Sequence, residues 1–234
     1  MIKRIAHRGA GLELQEDTLP ALELAAKYGA YAVECDPRYT KDGKLVIYHD
    51  NDLMRLAGSP AKVSEITLAE MREILGQKGL TVNTFEEILS GYHGASSVLF
   101  DLCFSALDPA LFEAMAKAPF RAMAGVHAPE EAAVAAKILP RDQILAFMPR
   151  PSDAAAFRDA GAGILRLWEQ WTDTTTPRDI KAIAPDREVW IMSCDPGINH
   201  PFFCMNSSPE SIRRAEEIGA DGILLNDIKM AMSL

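Results

Sequence analysis

The stretch Tyr28-Gly29-Ala30-Tyr31-Ala32-Val33-Glu34-Cys35-Asp36 decides the fold. Its glycine suits the left-handed end of a helix, and the apolar run after it suits a strand buried on both faces. The same punctuation recurs at Ala160-Gly161-Ala162 and Ile218-Gly219-Ala220, each between a helical stretch and an apolar one. Outward from these three points, β-prone runs cover Lys3–His7, Tyr31–Asp36, Val98–Cys103, Arg121–Val126, Gln143–Phe147, Gly163–Trp168, Glu188–Ser193 and Gly222–Leu225. Helical patterns fit between them at Leu19–Tyr28, Pro109–Lys117, Pro129–Leu139, Asp153–Ala160 and Pro209–Ile218. Eight strands with intervening helices predict a TIM-type (β/α)8 barrel, read as a single domain over residues 1–234 because no Ser/Gly-rich linker divides the chain. A doubly wound open sheet is the runner-up, but no glycine-rich phosphate loop follows any strand.

Composition narrows the class of partner. With 24 basic and 33 acidic residues the formal net charge is −9, which argues against nucleic-acid binding through a basic surface. An anionic substrate must then be met by local positive charge or a metal. No apolar run approaches the ~18 residues of a membrane span, so no stable membrane insertion is expected. The opening Met1–Ile5 is too short for a secretory signal. The cysteines Cys35, Cys103, Cys194 and Cys204 form no CxxC pair, so neither a zinc ribbon nor a disulfide scaffold is expected and the cytoplasm is the expected compartment. The oligomeric state is not legible.

One hairpin interrupts the repeat. Val33–Thr40 and Lys44–His49 flank Lys41-Asp42-Gly43, a strong turn signal. A two-residue Asp42-Gly43 turn would set Asp36 directly opposite His49, ~5 Å away. Glu34 and Asp36, two apart on a strand, share a face, and two ionised carboxylates inside a barrel need a cation or a shared proton. Salt bridges to lysines would also hold such a pair. Asp101, ending the apolar run Val98-Leu99-Phe100, favours a metal, because a buried strand does not place a charge there without a partner. Oxygen donors suit one Mg²⁺ or Ca²⁺, with Zn²⁺ through Cys103 a minor alternative. His7 and His49 each end a strand near acids, where paired histidines exchange general-acid and general-base roles. Arg8 supplies a planar fork for phosphate or carboxylate.

These residues resemble the glycerophosphodiester phosphodiesterase family. The matching pieces are His7-Arg8-Gly9, Glu16-Asp17-Thr18 for the usual Glu-Asn-Thr, Gly29-Ala30 with Glu34-Cys35-Asp36, and Thr40-Lys41-Asp42-Gly43. His49-Asp50, Leu53-Met54-Arg55, Thr84-Phe85-Glu86-Glu87 and Gly219-Ala220-Asp221-Gly222-Ile223 continue the series. The resemblance implies metal-dependent hydrolysis of glycerophosphodiesters to glycerol 3-phosphate and an alcohol. It implies catalytic roles for His7 and His49, phosphate binding by Arg8, metal ligation by Glu34, Asp36 and Asp101, and a loop-holding role for Glu16. It also implies that the segment between Asp50 and Thr84 is a short form of the family insertion.

Two departures stand out. Where the family has Glu-x-Lys, this chain has Asp101-Leu102-Cys103, which removes a cation expected near the phosphate. Alternation through Gly163–Trp168 turns Ile164, Arg166 and Trp168 into the barrel, so Arg166 is expected to replace part of that charge. Trp168 and Trp190 are expected to wall the alcohol or glycerol moiety. The family's Trp-Thr-Val-Asn reads Trp190-Ile191-Met192-Ser193, and the loop Cys194–Ser208 after it is expected over the barrel mouth. The missing lysine leaves a second reading open, a barrel that binds phosphodiesters in a regulatory or scavenging role without turnover. A carboxylate-pair glycosidase is excluded, since Glu34 and Asp36 on one strand cannot flank a sugar from opposite sides.

Overall fold

The computed structural model describes residues 1–104, 108–193 and 208–234. In chain order the strands are β1 (Lys3–Ala6), β2 (Ala32–Cys35), the hairpin β3 (Pro37–Tyr39) and β4 (Leu45–Ile47), and a small pair β5 (Asp52–Leu53) and β6 (Ser59–Lys62). They continue with β7 (Ser97–Asp101), β8 (Ala122–Val126), β9 (Ile144–Ala146), β10 (Ile164–Trp168), β11 (Glu188–Met192) and β12 (Gly222–Leu225). The barrel closes in the order β1-β12-β11-β10-β9-β8-β7-β2, parallel at each join, so all eight predicted barrel strands are present.

The glycine echo is a repeated helix ending. After the helices Leu19–Lys27, Ala154–Asp159 and Pro209–Glu217, Gly29, Gly161 and Gly219 adopt φ of 92°, 104° and 90°. In each case the next alanine N–H reaches back five residues: Ala30 to Ala25 O (3.3 Å), Ala162 to Phe157 O (3.0 Å) and Ala220 to Ala215 O (3.0 Å). This double-bonded cap satisfies carbonyls that a helix end leaves orphaned and aims the chain into the next strand. The helix predicted over Pro129–Leu139 ends at Ala135, where three-residue bonds such as Ile138 N to Ala135 O (3.0 Å) take over ahead of Pro140.

Strand alternation sorts the side chains into two cores. Val33, Phe100, Ala124, Leu167, Ile191 and Ile223 face outward against helical Leu22, Phe112, Phe157, Ile180 and Ile212. Ile5, Leu99, Met123, Leu145, Ile164, Trp190 and Leu224 fill the barrel. The N-terminal end of the barrel is closed by polar contacts: Lys3 Nζ lies 2.5 Å from Glu188 Oε1, and Arg121 Nη1 donates to Tyr31 OH at 3.0 Å. The segment between β4 and the helix Phe85–Gly91 builds its own small core from Tyr48, Leu53, Val63, Met71 and Leu75. Its helix Leu68–Gly76 starts with a capping box in which Thr67 and Glu70 bond each other's backbone.

The hairpin register differs by one residue from the expectation. Pro37 pairs with Ile47 and Tyr39 with Leu45, so Tyr48 rather than His49 lies opposite Asp36, with Tyr48 N–H donating to Asp36 O at 2.7 Å. The turn is a three-residue loop, with Thr40 N–H donating to Lys44 O at 2.9 Å and Gly43 at φ 72°. Thr40 Oγ1 holds it closed, donating to Asp42 Oδ1 at 2.6 Å. A left-handed residue ending a three-residue loop forms a bulge, which moves the register by one.

Candidate active site

The side chains that matter sit at or just beyond the C-terminal ends of strands, on the inward parity. His7 follows β1 and Asn226 follows β12. His7 Nδ1 is 2.7 Å from Asn226 Oδ1, a neutral acceptor, so Nδ1 carries the proton and Nε2 presents its lone pair, 4.0 Å from Glu34 Oε2. Burial, reinforced by the neighbouring Arg8 guanidinium, pulls His7 down to about 3, so its imidazole is neutral near pH 7.

The turn after His7 is unusual backbone. Arg8 and Asp17 have φ of 55° and 59°, and Gly9 has φ 72°. A Cβ on Gly9 would lie 2.6 Å from the Ala21 carbonyl carbon, so glycine is required there. Strain of this kind persists where surrounding contacts fix it. Arg8 N–H donates to Glu34 Oε2 at 3.0 Å, its Nη1 to Glu16 Oε1 at 3.0 Å, and its Nε lies 3.3 Å from Asp36 Oδ2. Asp17 is buried beneath, accepting Asp36 N–H at 3.3 Å, and burial together with the charge of Asp36 holds its carboxyl well above the usual range.

Glu34, Asp36 and Asp101 bring ligand oxygens within 4.8 Å of one another. Burial, compounded by mutual repulsion, raises Glu34 well above the ordinary carboxylate range, and burial raises Asp36 against the pull of Arg8. Asp36 Oδ2, though close to Arg8 Nε, is not aligned for a hydrogen bond and is buried without one. Hard oxygen donors, mutual repulsion and an unsatisfied oxygen fit a divalent cation such as Mg²⁺ or Ca²⁺.

His49 enters from the hairpin. Its Nδ1 is 2.7 Å from Asp50 Oδ1, and its carbonyl accepts Arg38 Nε at 2.5 Å. Asp50 Oδ2 accepts Arg55 Nε at 2.6 Å, and Arg55 grips Glu16 at 2.5 and 3.1 Å. Glu16 in turn holds Arg8, so an unbroken chain of alternating charges runs from Arg8 through Glu16, Arg55 and Asp50 to His49. The two arginines outweigh burial and keep Glu16 below the usual carboxylate range. His49 is therefore brought to the same mouth as His7 and Asp36 despite the shifted register.

At the next strand ends, His127 Nε2 is 2.6 Å from Asp101 Oδ1 and 3.2 Å from Cys103 Sγ, and its ring stacks on Phe147 at 5.0 Å. Burial opposes charging His127, but Asp101 outweighs it and raises the imidazole above its ordinary value. Arg166 does point inward: its guanidinium lies 4.3 Å from the Trp168 ring, 5.2 Å from Phe147 and 5.7 Å from Trp171, and its charge reaches His127. Half-buried Trp168 lies at the mouth as expected.

Trp190 does not form a substrate wall. It is fully buried and its Nε1 donates to Glu188 Oε2 at 2.8 Å, at the N-terminal end of the barrel. The missing Cβ of Gly222 makes room for the ring, since a Cβ there would meet it at 2.8 Å. The loop over Cys194–Ser208 falls, up to residue 207, outside the described residues. His127 and Asn226 carry no motif, although alternation through Arg121, Met123 and Gly125, and through Gly222 and Leu224, points to both. Asp50 and Arg55 stand in the quoted motif without a role until the chain of charges supplies one.

A closed parallel barrel with two histidines, an arginine fork and three carboxylates at its C-terminal mouth defines a TIM-type barrel with its functional groups where that fold builds active sites. The model of the glycerophosphoryl diester phosphodiesterase family matches residues 7–146, more than half of the chain, and the protein belongs to that family. "Probable glycerophosphodiester phosphodiesterase 1" of Mycobacterium tuberculosis is 43% identical over 95 residues, 41% of this chain and 33% of that protein. Human "Glycerophosphodiester phosphodiesterase 1" is 38% identical over 73 residues, 31% of this chain and 22% of its own length. The chain thus spans about a third or less of these two relatives. Among solved structures, the Thermotoga maritima glycerophosphodiester phosphodiesterase aligns over 100% of this chain and 98% of its own, with TM-score 0.73 and 17% identity. An Oleispira antarctica phosphodiesterase, in complex with the product sn-glycerol-3-phosphate, aligns over 98% and 95%, with TM-score 0.70 and 21% identity. At these identities the likeness is one of fold. No helix among the described residues is long and apolar enough to cross a membrane.

Proposed function

We propose that this protein is a phosphoric diester hydrolase that cleaves glycerophosphodiesters to glycerol 3-phosphate and an alcohol. The observation that carries the reading is the convergence of His7, Arg8, Glu34, Asp36, Asp101 and His49, from four separate chain segments, on one barrel mouth. A divalent ion, Mg²⁺ or Ca²⁺, held by Glu34, Asp36 and Asp101 would polarise a phosphoryl oxygen and offset its developing charge. Arg8 binds the phosphate through its fork, already aimed by Glu16 and Asp36. His7, neutral with its Nε2 lone pair free, takes a proton from the attacking water as the new P–O bond forms. His49, whose Nδ1–H is held by the Asp50 carboxylate, gives a proton to the departing alkoxide as the old P–O bond breaks. Arg166, inward and stacked on Trp168, adds the cation that Cys103 lacks and binds the substrate beside Trp168.

The free thiols of Cys35 and Cys103 accord with a cytoplasmic setting, and the net charge of −9 with a small-molecule substrate rather than nucleic acid. The test is turnover of glycerophosphocholine and glycerophosphoethanolamine, read as glycerol 3-phosphate release, with and without EDTA. Metal-reversible turnover is expected. A chain that binds glycerol 3-phosphate yet turns over neither diester would instead be a phosphodiester-binding barrel, the reading that Cys103 at the lysine position favours.

A further inference from the structure

We propose that Asp101, Cys103 and His127 form a second metal site, selective for Zn²⁺, beside the oxygen-only site and sharing Asp101 with it. The three offer one carboxylate oxygen, one thiolate and one imidazole nitrogen within 4.8 Å of one another. That is a borderline-soft donor set, suited to Zn²⁺ and poor for Mg²⁺ or Ca²⁺, whereas Glu34 and Asp36 supply oxygen alone.

The spacing fits. Tetrahedral zinc with bonds of ~2.0–2.3 Å places its ligand atoms ~3.3–3.7 Å apart. Cys103 Sγ already lies 3.2 Å from His127 Nε2 and 3.6 Å from Asp101 Oδ1. The His127–Asp101 contact, a 2.6 Å hydrogen bond, has to open by ~0.7 Å and the Cys103–His127 contact by ~0.3 Å, as one hydrogen bond is exchanged for two metal bonds. The imidazole plane is fixed by stacking on Phe147 at an interplanar angle of 6°, and Glu131 anchors the His127 backbone N–H at 2.8 Å.

The site is also reachable and open. Cys103 is exposed and lines a cleft of about 200 Å³ with Arg38, Tyr39, Asn51 and Ser64, while Asp101 is buried. Three protein ligands leave a fourth position for water or substrate, the pattern of a zinc site that is not purely structural. Asp101, with two carboxylate oxygens, serves both groups, as a bridging ligand does in paired-metal sites. A cation here stands where the family places its lysine. On binding, the Cys103 thiol loses its proton to solvent as the Zn–S bond forms. The His127 Nε2 proton that bonds Asp101 leaves to solvent or moves to Nδ1 as the Zn–N bond forms, so at least one proton is released per ion.

The test uses the full metal-free chain and reads binding rather than hydrolysis, so it stands or falls apart from the proposed activity. Titration with Co²⁺ should give a near-ultraviolet thiolate-to-cobalt charge-transfer band that saturates at one equivalent, is lost when Zn²⁺ is added, and survives excess Mg²⁺. Zn²⁺ should protect Cys103 from iodoacetamide, read by peptide mass spectrometry on the unmutated protein. Cys103→Ser and His127→Ala should each remove the band and weaken Zn²⁺ binding by more than ~100-fold, since even changes behind a ligand cost ~10–100-fold. The double variant Cys194→Ser, Cys204→Ser should keep the band. No band in the unmutated chain, a band that persists in Cys103→Ser or vanishes in the double variant, or alkylation of Cys103 unaffected by Zn²⁺ would each overturn the proposal.

Discussion

Asp50→Asn separates catalysis from binding at this site. Asp50 accepts two hydrogen bonds, from His49 Nδ1 at 2.7 Å and from Arg55 Nε at 2.6 Å. Asparagine keeps the shape but has one accepting end and one donating end. If its oxygen serves His49, its NH₂ faces the Arg55 donor; if its oxygen serves Arg55, the NH₂ faces His49 Nδ1 and enforces the wrong tautomer. In a buried Ser-His-Asp triad the same exchange costs ~10⁴ in kcat. The Asp50 side chain is 20% exposed, so water relieves part of the conflict, and the expected loss is ~10²–10³ in kcat. That corresponds to about 2.7–4.1 kcal/mol on the barrier, at ~1.36 kcal/mol per tenfold. KM should hold within about threefold, because Arg55 keeps both contacts to Glu16, and Glu16 keeps Arg8. The assay is steady-state glycerol 3-phosphate release, with circular dichroism to verify the fold. An unchanged kcat, or a rise in KM alone, would refute the assignment of His49 as the acid oriented by Asp50.

His7→Ala and His49→Ala should each lower kcat by ~10²–10⁴ with unchanged circular dichroism, and near-normal rates in either would reject the acid–base pair. Arg166→Met should weaken substrate binding and turnover, and adding Cys103→Lys should restore part of both; an Arg166→Met enzyme with unaltered kinetics would end the compensation argument. The carboxylates also predict stability against pH. Glu34 and Asp36 are raised in the folded state, so the unfolded chain gives up their protons first, and stability falls as pH rises from about 4.3 through their folded values. Glu34 and Asp36 thus favour a higher melting temperature at pH 5.5 than at pH 7.5, while His7, lowered to about 3 in the fold, opposes it over the same window. The carboxylate contribution is therefore read as the difference in pH dependence between the metal-free protein and Glu34→Gln. Mg²⁺ or Ca²⁺ at ~100 times Kd should add about 2.7 kcal/mol, or ~5–10 °C in Tm for a chain of this size. Glu34→Gln should raise the metal-free Tm and lose that shift, and a lower metal-free Tm would contradict the repulsion inferred here.

The barrel was legible because its signals are local and repeated. Each Gly-Ala caps a helix by bonds spanning five residues, and strand alternation decides which residues face inward without knowledge of the partner strand. The clustering of Glu34, Asp36 and Asp101 was readable for the same reason, since all three carry the inward parity. Depth along the barrel axis was not readable. Trp190 faces inward as its parity demands, yet its depth depends on the neighbouring strand and on Gly222, which lies 32 residues away. The hairpin register failed on one turn, where a Thr40–Asp42 side-chain bond selects a three-residue loop over a two-residue one. His127 and Asn226 act through contacts 26 and 219 residues distant, which no spacing rule conveys.

The chain of charges from Arg8 to His49 bears on attempts to pare this protein down. The segment between β4 and the Phe85–Gly91 helix looks dispensable, since it adds no strand to the barrel and has a small core of its own. Yet Arg55, near its start on the short helix Met54–Ala57, links the strand-one loop to the hairpin. A miniaturised barrel trimmed after Asp50 would keep His49 but lose the guanidinium that sets its arginine fork and its second histidine in a common frame. Anyone grafting this site onto an idealised scaffold has to carry the insertion along as part of the cargo, or rebuild its one bridging guanidinium by other means.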